Sequence, residues 1–198
     1  MARLAVLAGA LALAGCVMTE NSLSANDIAS MKLAGVTVSY APDAYIQWDD
    51  GIRAYAATKG ITDDQMAVET NTPEGKAYVR TALAQRIKAV VERAMAGQLN
   101  GTRPVRLELV VHQFTISSAV QRIVIGGGHG MNADATLVDA RTGAVIIAHP
   151  RLASVLYAGQ GVLGTAVEAA LTNGGQTTLD RVVDSYGGSY RDWLLRRG

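Results

Sequence analysis

A chain of 198 residues with Lys+Arg 18, Asp+Glu 17 and only 5% aromatics lacks the basic excess of a nucleic-acid binder. It also lacks the aromatic content of a broad base- or sugar-stacking platform. The single cysteine, Cys16, excludes an internal disulfide framework and any CxxC site, and the length suffices for one domain with its own core.

The chain opens MARLAVLAGALALAGC, with one positive charge at Arg3 and an apolar run over residues 4–14. The run is too short for a permanent spanning helix, which needs roughly twenty residues, and suits the core of a secretory signal. Its end, Leu13-Ala14-Gly15-Cys16, resembles the lipobox of bacterial lipoproteins. The resemblance implies that the Cys16 thiol takes a diacylglyceryl group, that the peptide is cut before Cys16, and that the new amine is acylated. Leu13 would fill an apolar subsite of the processing machinery, while Ala14 and Gly15 allow close approach. The implied boundaries are a signal peptide over 1–15, lipidated cysteine and flexible tether over 16–31, and a single periplasmic domain over 32–198. Val17 stands where an aspartate would mark inner-membrane retention, so the same family rule implies the outer membrane. Three acyl chains, at about 0.8 kcal/mol per buried CH2, exceed what stable anchoring without a spanning helix requires. Loss of Arg3 with the signal leaves 17 basic residues (18 − 1) against 17 acidic ones. No cofactor beyond the covalent lipid is expected.

Residues 17–31 are polar and aperiodic and read as the tether. A strand is expected around Leu33, Val36, Val38 and Tyr40, ended by Pro42. The stretch YIQWDDGIRAYAATKGITDDQ reads as irregular, anchored by Tyr45, Ile46 and Trp48, with a turn signal at Asp49-Asp50-Gly51. A helix is predicted over 73–98. Thr72 is its N-cap, Pro73 its first position, and Val79, Leu83, Ile87, Val90, Ala94 and Met95 form one apolar stripe.

Three strands follow. The first alternates at Val105, Leu107, Leu109 and Val111; the second and third flank Arg141-Thr142-Gly143, a short hairpin loop. The tail from Gln176 reads as helix interrupted at Gly187-Gly188. The fold class expected is α+β, with one antiparallel or mixed sheet of about four strands and two main helices packed on one face. Over 105–147, a strand ending near a glycine-rich turn is followed by a strand ending Asp139-Ala140-Arg141-Thr142-Gly143 and then another strand. This stretch resembles uncharacterised bacterial outer-membrane lipoprotein domains. More distantly, it is similar to the periplasmic fold shared by the curli-secretion lipoprotein and the TolB N-terminal domain. The resemblance implies a fold and brings no activity with it.

The candidate ligand loop is RIVIGGGHGM, with Gly126, Gly127, Gly128 and His129. It has no Gly-Lys-Ser or Gly-Lys-Thr of a P-loop, and no helix follows its glycines to focus a dipole on an anion. No G-x-S-x-G elbow occurs; Gly187-Gly188-Ser189-Tyr190-Arg191 lacks the last glycine. The loop therefore reads as a joint whose glycines permit positive φ or close backbone approach. His112, His129 and His149 could form a zinc site only by converging at one sheet end, so no metal is expected. The pairs Asp49-Asp50 and Asp63-Asp64 read as turn or cap residues, and Asp134 and Asp139 as lying on opposite strand faces. The low-charge stretch AGQGVLGTAVEAALTNGG offers Val162, Leu163 and Val167 as a candidate interface. The function expected is non-enzymatic: a membrane-anchored envelope lipoprotein acting through contacts with other envelope proteins or itself. A periplasmic small-ligand or metal binder and a self-assembling secretion-type subunit are the alternatives.

Overall fold

The computed structural model describes residues 19–124, 127–157 and 176–197. Their elements in chain order are α1 (Ala25–Ser30), β1 (Met31–Gln47), α2 (Asp49–Lys59), α3 (Asp63–Glu69), α4 (Pro73–Ala94), β2 (Arg103–Ile116), α5 (Ala119–Val124), β3 (His129–Asp139), β4 (Val145–Leu156) and α6 (Thr178–Leu194). The strands form one mixed sheet in the order β1-β2-β3-β4. β1 and β2 run parallel, joined by the crossover through α2, α3 and α4, while β2, β3 and β4 are antiparallel neighbours. This is the α+β layer expected from the strand pattern.

The helix α4 forms where its caps and stripe place it. The Thr72 hydroxyl accepts from the Gly75 N–H at 3.1 Å, Pro73 starts the first turn, and Val79, Leu83, Ile87, Val90 and Val91 are buried. It ends at Ala94, and residues 95–98 continue as turns. In α6, Thr177 and Asp180 make a reciprocal capping box, and Leu179, Val182, Val183, Tyr186, Tyr190 and Leu194 bury one face. Both helices pack on the same sheet face as Leu107, Leu109, Phe114 and Leu137. The Tyr186 hydroxyl donates to the Ala133 carbonyl at 3.2 Å, tying α6 to β3.

Several local expectations are corrected. Gly187 does not interrupt α6: it is where α6 meets α4, since a Cβ there would lie 2.9 Å from the Ala94 Cβ. The stretch read as irregular forms α2, which buries Gly51, Tyr55 and Ala56. Gly51 lies under the Trp48 ring, where a Cβ would come within 2.3 Å. Asp49 and Asp50 sit in its first turn, a favourable place for negative charge. β1 runs through Pro42 to Gln47, with its register to β2 slipping between Tyr40 and Tyr45. An edge strand tolerates this, because the missing N–H faces no partner.

The stretch read as tether is bound to the domain from Thr19 onward. Trp193 Nε1 donates to the Thr19 carbonyl at 2.7 Å, and Asn21 Nδ2 donates to the carbonyls of Trp193 and Leu194 at 3.1 and 2.7 Å. Asn21 thus supplies a donor to the Leu194 carbonyl and a second one to Trp193, whose carbonyl also accepts from the Arg196 N–H at 3.2 Å. Leu23 and Ile28 pack on the core, and a Ser24–Asp27 capping box starts α1, which leads straight into β1. The segment crosses from the end of α6 to the start of β1 and closes that end of the core.

Candidate functional site

The sheet gives the molecule two distinct ends. At one lie Thr19, the start of β1, the C-termini of α4 and α6, and the β3–β4 turn. At the other lie the ends of β1, β2 and β4, helices α2, α3 and α5, and the glycine loop. The candidate loop is therefore at the end farthest from Thr19.

There the end of β2 and the start of β3 are locked together. Ile116 pairs with His129, which is not a loop residue but the first residue of β3, and only 2% exposed. The Ser117 N–H donates to His129 Nδ1 at 3.1 Å, and the Ser117 hydroxyl donates to the Gly128 carbonyl at 2.7 Å. A backbone N–H can only donate, so Nδ1 presents a lone pair and the ring proton sits on Nε2. The Ser117 hydroxyl gives its proton to the Gly128 carbonyl, and it is the Ser117 backbone N–H that meets this lone pair.

The glycines are explained by close approach. A Cβ at Gly127 would meet Ser117 Oγ at 2.7 Å, at Gly128 the Leu156 carbonyl at 3.2 Å, and at Gly130 the Ser154 carbonyl at 3.0 Å. Positive φ is found at Gly60, Gly97 and Gly143, and Gly143 takes it in the β3–β4 turn as the hairpin reading requires. Gly126 lies outside the described residues, as do Val162, Leu163 and Val167 of the candidate interface and Leu13, Ala14, Gly15 and Cys16 of the lipobox.

Between the two strands α5 forms, with the Ser118 hydroxyl accepting from the Gln121 N–H at 3.1 Å. Gln121 in turn receives a hydrogen bond from Gln47 Nε2 at 2.7 Å, joining α5 to the end of β1. A cleft of about 160 Å³ opens beside Trp48, Asp49, Arg53 and Ser117. A larger one of about 300 Å³ lies between the end of β1 and α4, with Ile46, Ile52 and Val79 as apolar wall and Lys76 and Arg80 as cations.

The histidines are held apart. His112 is on the sheet face away from the helices, bonded through Nε2 to Asp134 Oδ2 at 2.8 Å. His149 lies on the helix side, its ring 4.8 Å from that of Trp193, edge to face. No cluster of three or more metal-ligating side chains occurs among the described residues. Asp134 and Asp139 each have defined duties that sequence spacing did not reveal. Asp134 Oδ1 accepts from the Arg151 N–H at 2.8 Å, fixing a bulge in which Pro150 and Arg151 oppose one residue of β3. Arg151 holds φ 51°, in the left-handed region that favours glycine. Burial pushes the Asp134 carboxyl up, but hydrogen bonds from His112 and Arg151, with their charges, outweigh it and hold the carboxyl below its usual range. Asp139 bonds Arg103 and the N–H groups of Arg141 and Thr142, which likewise lower its pKa and shape the turn.

No curated protein matches the sequence. Three solved structures are similar to the chain at low identity. PelC from Paraburkholderia phytofirmans, crystallised as a dodecamer, is 12% identical, with 89% of this chain and 95% of that chain covered and a TM-score of 0.41. Protein XCC0632 from Xanthomonas campestris is 10% identical, with 84% of each chain covered and a TM-score of 0.40. Lipoprotein GNA1162 from Neisseria meningitidis is 14% identical, with 74% of this chain and 96% of that chain covered and a TM-score of 0.25. The model of a family of unknown function, DUF6778, matches residues 80–198, more than half of the chain, and the chain belongs to that family.

Proposed function

We propose that this DUF6778 member is a non-enzymatic lipoprotein of the bacterial cell envelope. In this reading Cys16 anchors it to the outer membrane, and the end farthest from the anchor makes protein contacts in the periplasm. The lipobox supports the anchoring, and among the described residues no helix is long and apolar enough to cross a membrane.

The observation that carries the contact reading is the sidedness of exposed apolar side chains. Of the eight large ones exposed among the described residues, only Val145 lies at the Thr19 end. Tyr45, Val68, Tyr78, Ile123, Val124, Val155 and Tyr157 lie toward the other end, with Tyr157 93% exposed. Scattered apolar exposure is ordinary, but concentration at one end is a feature of interaction surfaces. A photo-crosslinking residue at Tyr157 or Val124 is expected to trap a second protein in living cells, while one at Thr142 traps none. Equal yield from both ends, or none from either, would sink the proposal. A crosslinked product of doubled mass would identify the partner as a second copy.

A second reading has one observation in its favour. The cleft at Lys76 and Arg80 pairs two cations with an apolar wall, a combination suited to an anion with an apolar body. A small molecule retained by the purified protein in native mass spectrometry, and lost in Lys76→Gln/Arg80→Gln, would favour it.

A further inference from the structure

The chain between Cys16 and the domain is very short. Thr19 is already held by Trp193, so only Val17 and Met18 separate the cysteine from a fixed point on the fold. Three residue steps span at most about 11 Å when fully extended, little more than the roughly 8 Å over which charges are felt at physiological salt. A domain on so short a leash does not sample the periplasm freely. It rests with its Thr19 end toward the bilayer.

That end is chemically suited to the position. Arg196 and Arg197 are exposed at the end of α6, where they donate to the Leu23 carbonyl and the Gln98 side-chain oxygen, both uncharged. Lys32, Arg93 and Arg141 are exposed at the same end, and no carboxylate among the described residues pairs with them. An open hollow formed by Asn21, Ser22, Trp193, Arg196 and Arg197, with the carboxylates of Glu20 and Asp192 also on its wall, lies beside the point where the chain leaves for Cys16. The opposite end has the contrary sign: residues 43–80, which build α2, α3 and the start of α4, hold seven carboxylates against four cations. Charge and leash therefore select the same orientation by independent means.

We infer that the Thr19 end is a membrane-docking face, with Arg196 and Arg197 meeting the phosphates of anionic phospholipid headgroups and Trp193 at headgroup level. The inference rests on Cys16 being acylated, as in the function proposed above. It adds an orientation, in which the anchor holds the basic end down and presents the acidic, apolar-rich end outward. Trp193, half-buried with its ring on His149 and Tyr190 and its Nε1 bonded to the Thr19 carbonyl, marks the level of that face.

The chain carries its own reporters, because its two tryptophans lie at opposite ends: Trp193 beside the anchor and Trp48 at the far end. The full acylated protein would be reconstituted in phosphatidylcholine vesicles containing phosphatidylglycerol and a lipid spin-labelled on its headgroup. In Trp48→Phe, the remaining Trp193 emission is expected to be strongly quenched. In the unaltered protein the quenched fraction falls, because Trp48 adds emission out of reach of the label. Replacing phosphatidylglycerol by phosphatidylcholine lowers Trp193 quenching with no change to the protein. Arg196→Gln/Arg197→Gln lowers it on anionic vesicles, by about fivefold per arginine in the ratio of seated to lifted domains. Equal fractional quenching of both tryptophans, or quenching indifferent to lipid charge and to the arginines, overturns the inference. The mass of the purified protein separates the two levels. An unacylated Cys16 brings down the anchored function and this inference together; an acylated protein with unquenched Trp193 brings down this inference alone.

Discussion

The two ends of this domain are built on different rules. At the Thr19 end, backbone meets backbone with no slack: a Cβ on Gly101 would lie 2.1 Å from the Ser30 carbonyl, and Asn21 reaches across to finish α6. At the far end the approach of the glycine loop to β4 is less close, a Cβ on Gly128 lying 3.2 Å from the Leu156 carbonyl, and large apolar side chains are exposed. The difference teaches that apolar exposure is distributed unevenly along the strand axis. The end that ties residues 19–30 to the core packs backbone on backbone there, and the far end keeps apolar surface available.

Glycine substitutions give the largest test of that contrast. Gly101→Ala forces two backbone segments apart and is expected to destabilise the fold by about 3 kcal/mol; Gly128→Ala, whose Cβ would sit 3.2 Å from the Leu156 carbonyl, costs about 1 kcal/mol. Urea midpoints compare them directly, and equal losses would erase the distinction. A smaller effect, about 1–2 kcal/mol, is expected for Asn21→Ala, which leaves the Trp193 and Leu194 carbonyls without this donor. Limited proteolysis within residues 19–24 should accelerate in that variant while the far end stays as resistant as before.

The smallest effect lies between the two ends. Asp134 has a lowered pKa, so its contribution is present above the unfolded carboxylate value of about 3.9 and is lost as pH falls through the native value. With its side chain 35% exposed, Asp134→Asn should cost under about 1 kcal/mol at neutral pH after solvent screening. The variant and the unaltered protein should converge in stability once the pH falls below the native value. A gap that persists in acid would show that the carboxylate's charge is not what holds the Arg151 bulge.

The parts of this fold that sequence makes legible are those whose signals are local. Thr72-Pro73 announces α4, alternation from Val105 announces β2, and Gly143 announces the β3–β4 turn, because each acts on its immediate neighbours. The misread parts depend on partners far along the chain. Gly187 looks like a helix break until Ala94 is placed against it, and Gly51 like part of a turn until the Trp48 ring covers it. Asn21 is an unremarkable polar residue until the end of α6, more than 170 positions later, needs a donor. The candidate loop was legible as a joint, and its need for glycine is now assigned to close approach. The burial of His129 was not legible, since nothing local to Gly-Gly-His-Gly says which strand the histidine begins.

The edges of the sheet have a consequence for life on a surface. β1 and β4 are its outer strands among the described residues, and each is interrupted by a proline next to a register slip, Pro42 in one and Pro150 with Arg151 in the other. A continuous open edge is a template for another chain's backbone, and a membrane confines its proteins to two dimensions, where encounters are frequent and already oriented. On the proposed anchored arrangement, neighbouring copies meet side by side with their strands aligned, the geometry most prone to runaway sheet extension. Kinked edges deny them a matching ladder. Crowded copies can then touch through side chains, reversibly, without fusing into one sheet.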